Sequence, residues 1–138
     1  MLAGAKSIVK RPFLEESALQ DAYLKASALI LPSEIEGFGL PALEAYYLGT
    51  PVCFVKGTSV EEILSVATTK GGFNLHDPKS LFTALDEIMS MSTDEIKSCG
   101  LKLRDTYASQ KIANRMIEVF EDVAESCKVA RSGSDRRW

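Results

Sequence analysis

A chain of 138 residues with a formal net charge of −3 is one domain's worth of sequence, long enough to bury a core. Its 46% hydrophobic and 25% charged residues are ordinary for a globular protein, and the mildly acidic balance offers nothing to a nucleic acid. No apolar run reaches membrane-spanning length, no leader peptide is read ahead of the first strand, and the reading is cytoplasmic. Cys53, Cys99 and Cys127 are odd in number, scattered, and without metal-ligand spacing, which fits a reducing compartment.

In chain order, Ser7-Ile-Val-Lys10 reads as a short strand and Arg11-Pro-Phe-Leu14 as the turn at its carboxyl end. Ligands bind at that end in open α/β sheets. An amphipathic helix from Glu15 to Ala26 carries Leu19, Tyr23 and Ala26 on one stripe, with Leu14 beside it. Ala28-Leu-Ile-Leu31 reads as a buried strand. A Gly-rich loop leads to a helix with Pro41 at its first position and Gly49 just past its end. Pro51-Val-Cys-Phe-Val55 is a second apolar strand, in which Cys53 serves as a small core hydrophobe. Strand, loop, helix, strand is a βαβ unit, and it predicts a parallel sheet.

After Lys56, read as solvated, Thr58 or Ser59 caps a helix from Val60 to about Ala67. Thr69 to Gly72 is a turn, and Gly72-Phe-Asn-Leu75 a short last strand. His76, the one histidine, reads as a solvent-facing loop residue. Asp77-Pro78 opens a helix with Leu81, Leu85, Ile88 and Met89 at helical spacing. Ser92-Thr-Asp-Glu95 has the form of a capping box and opens another, with Ile96, Leu103 and Tyr107 in its stripe. A last helix from about Ser109 to Val129 shows Ile112, Met116, Val119, Phe120 and Val123 on one face. All these stripes read as core. The domain thus spans residues 1–129, and Ala130 to Trp138 reads as a disordered tail.

The loop before Pro41 has the chemistry of a ligand site. Gly37 and Gly39 let the backbone turn sharply and be approached closely. Leu40 is a poor N-cap, which leaves the amides of Ala42 and Leu43 open to an anion. Glu36 and Glu44 flank that position. They repel a bare phosphate but accept hydrogen bonds from hydroxyls, so a ligand carrying both groups suits the site, as a nucleotide sugar does. The alternative is that both glutamates only complement the helix dipole.

Pro32-Ser33, Glu36-Gly-Phe-Gly-Leu-Pro41, Leu43-Glu44-Ala45 and Gly49-Thr-Pro-Val52 closely resemble the signature of the large retaining glycosyltransferase family of GT-B architecture. The resemblance covers about residues 7 to 125 and falls in that family's C-terminal, donor-binding domain. It implies a partial Rossmann-like α/β fold, with a small parallel sheet of about four strands flanked by helices. It also implies hexosyl transfer from a nucleoside-diphosphate sugar, with no metal or other cofactor. Carried over, Glu44 binds the ribose hydroxyls, and Glu36 lies by the donor sugar and its phosphate as the catalytic candidate. The backbone of Gly37, Phe38, Gly39 and Leu40 contacts sugar and diphosphate, Phe13 neighbours the base, and Glu61 follows Gly57 as in the family pattern. Val60 departs from that pattern, which has a proline there. Packing against the next helix is the other reading of Phe13.

The family's earlier βαβ portion, with its basic Arg and Lys pair, and its acceptor domain have no counterpart here. The chain therefore reads as the second half of one donor domain, inactive by itself, its partner half in cis or on a separate chain. A non-catalytic interaction or regulatory module on the same fold is the alternative. A half-sheet exposes an edge, which predicts pairing with a partner or with a second copy. In the intact enzyme, peripheral membrane association is compatible with this reading.

Overall fold

A computed structural model describes residues 9–11 and 13–133, with side chains to residue 126. The elements are α1 (Glu16–Lys25), β1 (Leu29–Leu31), α2 (Leu40–Tyr47), β2 (Val52–Val55), α3 (Ser59–Leu64), β3 (Gly72–Phe73), α4 (Pro78–Met89), α5 (Thr93–Thr106) and α6 (Ser109–Gly133). The fold is α/β, with a three-stranded sheet in the order β1-β2-β3. Both pairings are parallel, with Leu29 opposite Val52 and Phe54 opposite Gly72. Among the described residues one strand fewer is present than expected. The strand read at Ser7–Lys10 falls partly outside the described residues, and Val9 and Lys10 are exposed and irregular.

Apolar burial explains the arrangement. Val52, Cys53, Phe54 and Val55 are all at most 6% exposed, as a central parallel strand covered on both faces requires. β1 has a neighbour on one side only among the described residues, and its Ile30 is 42% exposed. Gly71, at a φ of 92°, brings the chain against β2 so closely that a Cβ there would stand 2.3 Å from the Val52 carbonyl oxygen.

Helix ends follow local chemistry, with one correction. The N-cap of α2 is Gly39, left-handed at φ 70° and ψ 36°, so Leu40 is the first helical residue and Pro41 the second. At the other end Gly49 is left-handed, its amide donates to the Tyr46 carbonyl, and the Thr50 amide donates to the Ala45 carbonyl. That pair of bonds is a Schellman motif, which closes the last turn. Asp77 caps α4 by accepting from the Lys79 amide at 3.0 Å. Ser92 caps α5 by accepting from the Glu95 amide at 3.1 Å. The Glu95 carboxylate does not reach back to complete the box; it pairs with Lys70 at 2.8 Å. Thr58 occupies the N-cap of α3, but neither hydroxyl expected there caps the helix. Thr58 Oγ1 donates to the Val55 carbonyl and Ser59 Oγ to the Glu36 carbonyl.

The stripes hold unevenly. In α4, Ile88 is buried beside Ala84, while Met89 is 58% exposed. In α5, Cys99 and Gly100 join Leu103 in the core, with Ile96 and Tyr107 half-buried. A Cβ on Gly100 would stand 2.5 Å from the Tyr46 carbonyl oxygen, so α5 lies backbone-close on α2. In α1 only Tyr23 is buried. The larger correction is α6. Ile112, Met116, Val119, Phe120 and Val123 are 40–65% exposed rather than core. Helical spacing gathers apolar residues on one face, but burial needs a second surface, and no described residues cover this one. The backbone of α6 continues through Gly133, past the point where a tail was expected; residues 134–138 lie outside the described part. Among the described residues no helix is long and apolar enough to cross a membrane.

Candidate functional site

Three loops leave the carboxyl ends of the three parallel strands: residues 32–39 after β1, 56–58 after β2 and 74–77 after β3. This is the side of an open α/β sheet where ligands bind. Exposed His76 and Glu34 stand 3.7 Å apart across the first and third loops.

The first loop is fastened to α3. The Glu36 carbonyl accepts from Ser59 Oγ at 2.9 Å. Gly39 lies against Val60, where a Cβ would stand 2.9 Å from Val60 Cγ2. Both its left-handed backbone and this approach require glycine. Gly37 is different. It has no positive φ, and a Cβ there would meet nothing within 4 Å, so its missing side chain leaves the outer surface of the loop bare.

The expectation of open amides at Ala42 and Leu43 is corrected. Both donate to the Gly39 carbonyl, at 3.0 and 3.4 Å. The left-handed cap turns that carbonyl into the helix and satisfies them. Among the described residues, the amides of Phe38, Gly39 and Leu40 donate to no protein acceptor, and Pro41 has no N–H to give. Amides without a protein acceptor thus lie in the loop itself, ahead of the helix, rather than at Ala42 and Leu43.

Glu36 and Glu44 belong to the same loop and helix. Glu36 is half-buried, and Glu44 is exposed, one turn into α2. Glu44 Oε2 accepts from the Tyr23 hydroxyl at 3.3 Å. Burial raises the Tyr23 phenol above its usual range, and the Glu44 carboxylate adds to this, so Tyr23 stays a neutral donor. Thr50 Oγ1 fixes the same stretch of α1 by donating to the Tyr23 carbonyl at 2.6 Å. Glu61 is half-buried and closes the turn after β2, its Oε2 accepting from the Gly57 amide at 2.6 Å. Lys56 is exposed at the end of β2, and its stem crosses Gly72, where a Cβ would stand 2.9 Å from Lys56 Cε.

The two aromatic candidates differ. Phe13 is 81% exposed and so is not packed away against the helix that follows it. Phe38 is 43% exposed and meets Tyr107 edge-on, with ring centroids 5.6 Å apart and planes at 88°. Tyr107, Tyr23 and Ser59 support the site and were missed as such. Tyr23 and Tyr107 carried the signal of core stripes, and no spacing links Ser59 to Glu36, 23 residues away. Among the described residues no group of three or more His, Cys, Asp or Glu gathers as a metal site.

The family model "Glycosyl transferases group 1" matches residues 11–111. A D-inositol 3-phosphate glycosyltransferase of Corynebacterium kroppenstedtii is 28% identical over 121 residues, covering 86% of this chain and 27% of that protein. One from Paenarthrobacter aurescens is 23% identical over 147 residues, covering 94% and 36%. One from Streptomyces avermitilis is 40% identical over 80 residues, covering 54% and 16%. The chain therefore spans about a third or less of the length of these relatives. No solved structure matches it. With the α/β fold in place and the matched span running from the turn before α1 into the start of α6, the chain belongs to the glycosyl transferases group 1 family.

Proposed function

We propose that this chain is the donor-binding segment of a retaining glycosyltransferase and holds a nucleoside-diphosphate sugar at the carboxyl ends of its strands. The observation that carries this is the loop at residues 36–40. Its amides at Phe38, Gly39 and Leu40 are without protein acceptors, in front of an eight-residue helix whose dipole favours negative charge. Glu36 and Glu44 sit at either end of that loop and helix start. The amides suit the diphosphate, Glu44 the vicinal ribose hydroxyls, and Glu36 the donor sugar as the catalytic candidate. Phe13, exposed, is the candidate neighbour of the base, and Glu61 acts through the Gly57 turn. Departure of the diphosphate is the step such preorganised amides assist, with no resident metal invoked.

Transfer itself needs the rest of a longer enzyme, since the relatives are several times this length. Among the described residues β1 has a free edge, where a further strand, in cis or from another chain, would extend the sheet. The inositol 3-phosphate of the relatives' name is not carried over, because acceptor choice lies outside the matched third. A location in the cytoplasm suits the free cysteines Cys53 and Cys99.

The test is titration calorimetry of UDP, ADP and GDP with the 138-residue chain. Glu44→Gln should weaken the preferred nucleotide about tenfold or more, since a charge-assisted hydrogen bond is worth about 1.5–3 kcal/mol. Glu61→Gln should have a smaller effect. In both variants an amide oxygen still accepts the existing partner, Tyr23 Oη or the Gly57 N–H. The 2′-deoxy nucleotide should bind weakly to wild type and be nearly indifferent to Glu44→Gln. Equal penalties on both ligands would make Glu44 a dipole partner only and remove the support for the ribose contact.

A further inference from the structure

We propose that Tyr107 is a positioning residue for the loop at residues 36–40, holding Phe38 and through it the open amides of Phe38 and Gly39. The inference rests on the donor-site reading for what the loop binds, but not for how the loop is held.

Tyr107 sits at the C-cap of α5, its amide donating to the Leu103 carbonyl at 2.9 Å. It makes two further contacts, each to a different element. Its hydroxyl donates to the Ile63 carbonyl of α3 at 3.1 Å, 44 residues away. Its ring meets the Phe38 ring in a T-shaped arrangement, with centroids 5.6 Å apart. Burial raises the phenol, and Glu62 and Tyr47 raise it further, so the hydroxyl stays protonated and able to donate near neutral pH.

The loop is therefore pinned at two points that both lead back to α3. Ser59 Oγ holds the Glu36 carbonyl directly, and Tyr107 holds the Phe38 ring while anchored to Ile63. Between those pins lies Gly37, and after them Gly39, the two residues with the widest backbone freedom in the loop. Phe38 is 43% exposed, so burial alone does not settle its rotamer; the edge-to-face contact does. Holding that ring restrains the peptide planes on either side of it, and these carry the Phe38 and Gly39 amides. α5 also lies backbone-close on α2 through Gly100, so loop, α2 and α3 share one reference frame.

The test compares Tyr107→Phe, Tyr107→Leu and Phe38→Leu in the full 138-residue chain. Two readouts are used: the ring-proton shifts of Phe38 by NMR, and affinity for UDP, ADP and GDP by calorimetry. Tyr107→Phe keeps the ring but loses its anchor to the Ile63 carbonyl, and should give a Phe38 shift and an affinity between those of wild type and Tyr107→Leu. Tyr107→Leu should move Phe38 toward its free-residue shift and lower affinity about two- to tenfold, the equivalent of one edge-to-face aromatic contact. Phe38→Leu alters an exposed side chain and should reproduce that affinity loss without a change in thermal midpoint, which separates positioning from unfolding. A Phe38 shift unchanged in Tyr107→Leu would overturn the proposal whatever the ligand result. A lost shift with unchanged affinity would overturn it too. If wild type binds none of the three nucleotides, the donor-site reading falls, and the hold of Tyr107 on the loop stands or falls on the Phe38 shift alone.

Discussion

Helices α5 and α6 follow one another with a two-residue break at Tyr107 and Ala108, and each carries an apolar stripe of similar helical spacing. Yet α5 is core and α6 is bare. α5 buries Cys99, Gly100 and Leu103 against α2, while Ile112, Met116, Val119, Phe120 and Val123 of α6 stay exposed. The difference lies in what faces each helix. Gly100 has no side chain, so α5 descends onto the Tyr46 carbonyl and its neighbours are drawn into contact. α6 starts at Ser109, and its Ile112, Lys111 and Arg115 help line, with Phe38 and Tyr107, a groove of about 550 Å³. Spacing thus specifies an apolar face; only an opposing surface makes it core.

The comparison is sharpest at Leu103, which is 0% exposed. Leu103→Ala should destabilise the chain by about 2–5 kcal/mol in denaturant unfolding, through lost burial and the cavity left behind. A smaller loss would mean that α5 is as loosely held as α6.

Gly100→Ala probes the cause of the close packing. An added methyl would meet a backbone oxygen at 2.5 Å, and backbone cannot swing aside as a side-chain tip can. About 1–3 kcal/mol of destabilisation is expected, despite the gain in helix propensity. A stabilised variant would show that α5 can lift off α2 without cost.

Titration probes the same packed region. Burial, with a smaller contribution from Glu87, pushes the Cys53 thiol from 9.0 up to about 11. Below about pH 9 the thiol is neutral in both states and its contribution is fully present. As pH rises from there to about 11, only the unfolded chain ionises, so stability is lost. Burial raises the Tyr46 phenol as well, which carries the decline to higher pH. Unfolding free energy measured across pH 8–11 should fall, and Cys53→Ala should flatten the first part of that fall. A curve of the same slope in Cys53→Ala would assign the decline to other groups.

The smallest effect belongs to α6. Phe120 is 65% exposed, and Phe120→Ala should change stability by no more than about 0.5 kcal/mol. A core-sized loss in the chain alone would reveal that this face is covered in solution.

The sequence carried most of the local structure because local structure is written in short-range chemistry. Asp77-Pro78, Ser92 and Gly49 marked helix ends that the structure keeps, since each satisfies or frees a backbone group within a few residues of itself. The apolar runs at residues 28–31 and 51–55 marked the parallel pair β1 and β2. The motif from Glu36 to Pro41 marked the loop of the candidate site, because Glu36 and both glycines are contiguous in it.

Tertiary structure decided the rest, by bringing distant groups together. It placed the open amides at Phe38, Gly39 and Leu40 rather than at Ala42 and Leu43, because a left-handed Gly39 turns its own carbonyl into the helix. It gave Tyr23 to Glu44, Ser59 to Glu36, and Tyr107 to both Phe38 and Ile63, across separations of 21 to 69 residues that no spacing rule encodes. It also left the α6 face open, since a sequence can make one side of a helix apolar but cannot by itself supply the surface that covers it.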